Sequence, residues 1–166
     1  MKKILLTAVI ALCGLGLANA QEGSIYAGLN VGLPIGDFGD SHTFGIGVEA
    51  GYLYPVSESL MVGGNVGFMS FSGDEVDLGP LGSVEIDAIN YVPIAATAIY
   101  SFGDSGFGVG ADVGYALALD DVADGGLMYE PKAVFNTETL MFSLGYQTVA
   151  DVVDLSSIQL GAAYKF

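Results

Sequence analysis

After residue 20 this chain alternates, and what alternates is side-chain size. In 43–54, Phe44, Ile46, Val48, Ala50, Tyr52 and Tyr54 take one set of alternate positions, and Gly45, Gly47, Glu49 and Gly51 take the other. In 106–119, Phe107, Val109, Ala111, Val113, Tyr115 and Leu117 oppose Gly108, Gly110, Asp112 and Gly114. In 139–149, Leu140, Phe142, Leu144 and Tyr146 oppose Ser143, Gly145 and Gln147. Successive residues of a strand point to opposite faces, so each segment has one large apolar face and one face of glycines, single charges and amides. No 3.6-residue periodicity follows residue 20, and glycine is too frequent for helices. A soluble ligand-carrying barrel would turn its large apolar face inward. Here the second face is too small for a hydrophobic core at normal packing density. The large side chains are therefore expected outside, against lipid.

Eight such segments are legible, at 24–33, 43–54, 59–71, 88–102, 106–119, 127–135, 139–149 and 157–166. Their lengths are near the ~9–11 residues that a tilted strand needs to cross a bilayer. The expected fold is all-β: an eight-stranded antiparallel up-and-down transmembrane β-barrel. Pro55–Glu58, Gly103–Ser105 and Asn136–Glu138 read as tight turns on the inner side. Pro34–His42, Ser72–Asp87, Asp120–Gly126 and Ala150–Ser156 read as longer outer loops, the asymmetry such barrels show. Segment 88–102 alternates poorly and contains Pro93. Its outward residues are expected to be Val92, Ile94, Ala96, Ala98, Tyr100 and Phe102, with a bulge or a weakened ladder near the proline. Aromatics cluster near strand ends as two girdles: Tyr100, Phe102, Phe107, Tyr164 and Phe166 among others at the turn end, and Phe44, Phe68, Tyr91, Tyr129 and Tyr146 at the loop end.

The ends of the chain agree with export. Lys2 and Lys3 precede an apolar run from Ile4 to Leu17 and then Ala18-Asn19-Ala20, the three parts of a cleavable leader. Residues 1–20 are thus expected to be a signal peptide and 21–166 the barrel. Cys13 lacks the small preceding residue that lipidation requires. Cleavage after Ala20 leaves two lysines against nineteen acids, a charge of −17, and no cysteine. Nucleic acid is excluded as a partner, because its binding needs a basic footprint. A mean hydropathy of +0.56 alongside that charge is natural only if the apolar residues meet lipid and the acids sit in loops.

The tail, Gln159-Leu-Gly161-Ala-Ala-Tyr164-Lys-Phe166, alternates to the end of the sequence. It resembles the C-terminal strand of bacterial outer-membrane barrels, in which a polar residue, a glycine and two spaced aromatics are read by the barrel-assembly machinery. Gln159, Gly161, Tyr164 and Phe166 would carry that assembly signal. The whole pattern resembles the small OmpA/OmpX-like barrels, above all the stand-alone outer membrane protein beta-barrel domain of Bacteroidetes-type bacteria. That resemblance implies the cell outer membrane, contact with its lipid and lipopolysaccharide, a monomer, and no cofactor. The chain ends on strand eight with no peptidoglycan-binding domain, which departs from full-length OmpA-like proteins.

An eight-stranded barrel encloses just enough space for its own side chains. Glu49, Asp112, Glu130, Lys132 and Lys165 are the expected inward charges, joined by Asn30, Asn65, Gln147 and Gln159 as amides. They read as a salt-bridged lumen plug, with a narrow polar pore for small solutes or ions as the alternative. Most acids, from Asp37 and Asp40 to Asp151 and Asp154, fall in the outer loops. They read as a solvated rim, with weak divalent-cation binding as the alternative; no loop has EF-hand spacing. In Ser72–Asp87, Val76, Leu78, Leu81 and Val84 are expected to extend the flanking strands. The one histidine, His42, lies beside Ser41, and a lipid-modifying enzyme could use it as a general base. Neighbouring residues on a strand point apart, which counts against that pairing. The expectation is a non-enzymatic envelope protein with a structural or surface-interaction role and no catalytic or metal residues.

Overall fold

The computed structural model describes residues 23–77, 83–119, 125–150 and 155–166. The expected leader at 1–20 lies outside the described residues, as do Leu78, Leu81 and the acidic loop centres at 120–124 and 151–154. Eight antiparallel strands close into a barrel: β1 (Ser24–Pro34), β2 (His42–Pro55), β3 (Leu60–Gly73), β6 (Ile89–Ser101), β7 (Phe107–Ala118), β8 (Gly126–Asn136), β9 (Leu140–Ala150) and β10 (Leu155–Lys165). Each segment expected from alternation coincides with one of these strands to within two residues at either end. Every strand pairs with its sequence neighbours in the barrel, and β10 returns to β1. That seam runs from Tyr26 opposite Lys165 to Pro34 opposite Ser157, and the Phe166 amide donates to the Ile25 carbonyl at 2.9 Å. Closure satisfies both edges, the condition for a sheet whose outside is apolar.

Between β3 and β6, β4 (Glu75–Asp77) and β5 (Ser83–Glu85) pair as a separate two-stranded ribbon. The loop thus continues in β structure, as a ribbon of its own rather than as longer β3 and β6.

Two prolines interrupt the ladders. The β3–β6 pairing runs to Val66 opposite Ile94, lapses beside Pro93, and resumes at Met69 opposite Tyr91 in the same register. The β8–β9 pairing lapses in the same way at Pro131, between Tyr129 opposite Thr148 and Lys132 opposite Gly145. Proline has no N–H to donate, so the ladder weakens without a bulge. The irregularity in the β2–β3 pairing lies elsewhere, between His42 and Gly45.

The outside is apolar all round. Leu29, Ile46, Val113, Leu127, Leu144 and Leu160 are among the exposed large side chains of β1, β2, β7, β8, β9 and β10. Val92 and Ile94 face outward half-buried, and Ala96, Ala98 and Tyr100 are exposed on the same face of β6. Aromatics gather at the turn end, where Tyr164 meets Phe166 edge-on at 5.1 Å and Tyr100 meets Phe102 at 5.8 Å. At the loop end Phe44, Phe68, Tyr129 and Tyr146 are exposed. Tyr91 does not join them. It is 3% exposed and points into the barrel, because strict alternation from Ala95 and Thr97 puts it on the inner face.

The interior corrects a larger expectation. The inner face is not only glycines and polar groups. Phe38, Met69, Phe71, Ile89, Tyr91 and Met128 lie in an apolar cluster at the loop end, and Tyr26, Leu53, Ile99, Val134, Met141 and Ala163 form a second at the turn end. The glycines are the sockets for these side chains. A Cβ at Gly45 would meet the Phe71 ring at 2.7 Å, and one at Gly51 would meet the Tyr26 ring at 2.5 Å. Glycine on one strand and a large residue on its neighbour fill the lumen together, a pairing invisible until the register is known.

Candidate functional site

The polar lumen residues lie between the two apolar clusters. Asp112 on β7 is the hub. Its Oδ2 accepts from Lys132 Nζ at 2.7 Å and from Asn65 Nδ2 at 2.8 Å, and its Oδ1 accepts from the Thr97 hydroxyl. The strands set this up, since β6–β7 pairing puts Thr97 opposite Asp112 and β7–β8 pairing puts Glu130 opposite it. Lys132 follows Glu130 on the same inner face, one pleat further along β8. Lys132 and Asp112 form a buried ion pair, its ionised groups held by additional hydrogen bonds as burial demands.

A second arm runs through amides. Gln147 Nε2 donates to Glu130 Oε2 at 3.0 Å, and Gln147 Oε1 accepts from the Tyr91 hydroxyl at 2.5 Å and from Gln159 Nε2 at 3.4 Å. Gln159 Nε2 also donates to Ser157 Oγ at 2.8 Å. Gly145 leaves room for this arm, because a Cβ there would strike the Glu130 carboxylate.

Of the five charged residues expected inside, the structure gathers Glu49, Asp112, Glu130 and Lys132 around one small cavity of about 30 Å³. Lys165 stands apart. It is half-buried at the turn end, and its Nζ donates to the Thr137 carbonyl at 2.5 Å. Its long side chain reaches the rim from the last inward position of β10, so it satisfies a turn carbonyl instead of an acid. Alternation did not point to Thr97 and Tyr91 as network members. Counting inner-face parity backward from Ile99 finds both.

The loop-end mouth is capped by a 3₁₀ turn at Gly36–Phe38. Phe38 is 2% exposed and lies 4.7 Å from the His42 ring and 4.9 Å from the Phe71 ring, centroid to centroid. Ser41 Oγ lies 2.8 Å from His42 Nδ1, so these neighbours do meet, contrary to the expectation that they point apart. The β2–β3 irregularity starts at His42, where the regular alternation of facing side chains breaks down. Ser41 Oγ also donates to the Phe38 carbonyl at 3.2 Å. His42 is buried, and burial pulls the imidazole pKa below its ordinary value against a smaller opposing pull from the Asp87 backbone. His42 therefore packs under an aromatic cap, with Ser41 half-buried beside it.

Solved structures share this closed barrel at the level of fold. The Yersinia pestis outer membrane protein Ail in a phospholipid nanodisc superposes with a TM-score of 0.58 at 16% identity, covering 87% of this chain and 100% of that one. The fold is that of the small outer-membrane barrels. Ail in complex with the heparin analogue sucrose octasulfate gives 0.51 at 17% identity, covering 87% and 97%. The N-terminal barrel domain of Pseudomonas aeruginosa OprF gives 0.51 at 13% identity, covering 87% and 98%. No protein-family model matches the chain, and no curated protein matches it.

Proposed function

We propose that this chain is a non-enzymatic outer-membrane barrel, exported by its leader at 1–20, that works through its outer rim while its lumen stays shut. The observation that supports this reading is the pair of apolar clusters that occupy the inner face on either side of the polar layer. With the inside filled and the outside apolar, the loop end is what remains to meet a partner. The tail residues Gln159, Gly161, Tyr164 and Phe166 serve as the address read by the assembly machinery. The alternation further suggests kinship with the stand-alone barrel domains of Bacteroidetes-type bacteria.

The rim indicates the sort of partner. Asp37, Asp40, Asp74 and Asp87 are exposed there, and the chain has no arginine. A sulfated polyanion of the kind bound to Ail would be repelled by such a surface. Cationic surfaces, or lipopolysaccharide bridged by weakly held divalent ions, suit it better. Single-channel recording in planar bilayers tests the closed lumen: steady unitary steps would establish the pore instead. Whole-cell binding with residues 74–87 replaced by a short turn tests the rim; unchanged binding to cells and matrix would leave an envelope-structural role.

A further inference from the structure

The wall of the barrel loses two rungs at the middle of β8. Pairing with β9 stops after Tyr129 opposite Thr148 and resumes at Lys132 opposite Gly145, with its register kept. On the other side β7 still pairs across the same residue, Ala111 opposite Pro131. One absent donor explains both facts, because proline has no N–H to give to β9.

The kept register puts Glu130 opposite Gln147 inside that gap. Both side chains point inward and are buried, at 8% and 7% exposed. Gln147 Nε2 donates to Glu130 Oε2 at 3.0 Å, so a side-chain bond crosses the seam where the backbone bond is lost. The Glu130 carboxylate also lies over Gly145 of β9, where a Cβ would strike it. Gln147 is held in turn from two further strands, by Tyr91 of β6 at 2.5 Å and Gln159 of β10 at 3.4 Å.

The other proline break is built differently. Pro93 lies inside, opposite Gly67, and a Cβ on that glycine would stand 3.3 Å from the ring. Ring packs on glycine there, and neither side chain can bond. Pro131 instead faces out, at a shallow groove in the apolar belt between Val109, Leu144 and Tyr146. Behind it lies the polar cavity lined by Glu130, Lys132 and Gln147.

We infer that Glu130 and Gln147 form a latch that holds the wall shut at Pro131, and that the β8–β9 seam is where this barrel opens first. Opening there joins the outer groove to the inner cavity, both of which Lys132 lines, and exposes the Lys132–Asp112 pair from the side. The latch belongs to the wall and does not depend on what the rim meets.

Hydrogen exchange of the full chain refolded in micelles, followed residue by residue in increasing sub-denaturing urea, tests this. In the wild type the amides at 129–132 and 145–148 should exchange ahead of mid-strand amides of β1 and β2, with little dependence on urea. Gln147→Leu should speed the seam amides by roughly tenfold or more, since Glu130 loses its donor while still buried. Pro131→Ala restores an N–H to the ladder and should slow them, and adding it to Gln147→Leu should recover most of the loss. Should Gln147→Leu fail to fold, the wild type and Pro131→Ala decide the matter between them. Seam amides no faster than those of β1 and β2, equal acceleration of every strand by Gln147→Leu, or a seam unchanged by Pro131→Ala would overturn the inference.

Discussion

The ammonium of Lys132 sits 2.7 Å from the carboxylate of Asp112 in the middle of the barrel, each side chain 5% exposed. Asp112 takes two further hydrogen bonds from Asn65 and Thr97. Four strands, β3, β6, β7 and β8, are thereby tied through one carboxylate. A buried pair of this kind adds little over an apolar pair of equal volume, but removing one partner leaves the other charged and sealed from water.

Lys132→Met should therefore lower the heat-modified gel transition, by a loss of about 3–5 kcal/mol. Adding Asp112→Asn to it should recover part of that loss, because the orphaned charge is gone. A single variant with an unchanged transition would mean that the pair does not hold the barrel's centre.

Gly145 lies against the Glu130 carboxylate, where a Cβ would collide with it. Gly145→Ala should destabilise the refolded barrel by about 1–3 kcal/mol through overpacking. Gly103→Ala probes a different cause, since its φ of +57° strains any side chain while nothing lies within 4 Å of the added atom. Its effect should be about 1 kcal/mol. Denaturant titration in micelles measures both.

Phe166 is 76% exposed and touches Tyr164 edge-on on the outer surface. Phe166→Ala removes little packing, so the refolded variant should stay within about 0.5 kcal/mol of wild type. In cells it should accumulate less folded protein in the outer membrane if the tail is the assembly signal. Equal surface levels of variant and wild type would remove that role.

His42 lies at the loop-end start of β2 against the Phe38 ring, and burial lowers its pKa from the ordinary imidazole value. The unfolded chain then binds a proton more readily than the folded one, so the contribution of this site is present above the ordinary imidazole pKa and declines as pH falls through it. Melting curves of wild type and His42→Phe between pH 8 and 5 should show the wild type losing more stability on acidification. Parallel curves would show that His42 takes no part.

Much of the barrel was readable because period two survives every strand with large residues on one side and glycine on the other. Pro93 also announced itself, since a missing N–H breaks a ladder wherever the proline falls. The departures from alternation arise where neighbouring strands and strand ends decide a side chain's place. Tyr91 reads as one more girdle aromatic until parity from Ala95 places it inside. Lys165 reads as a lumen cation because it shares a face with Gln159, yet its position at the end of β10 leaves it only a turn carbonyl to meet. Ser41 and His42 meet because the chain departs from regular pairing just there.

The sequence by itself determined which face of each barrel strand is apolar, how many strands close the barrel, and that single charges must share a confined interior. Those follow from local alternation and the length of each segment, which need no knowledge of neighbours. Only the tertiary structure decided which charge meets which, how glycine sockets receive Phe71 and Tyr26, and that two apolar clusters lie on the inner face. Those depend on the stagger between strands, because a shift of one residue would turn every side chain to the opposite face. Closure of β10 on β1 fixes that stagger for the whole ring at once.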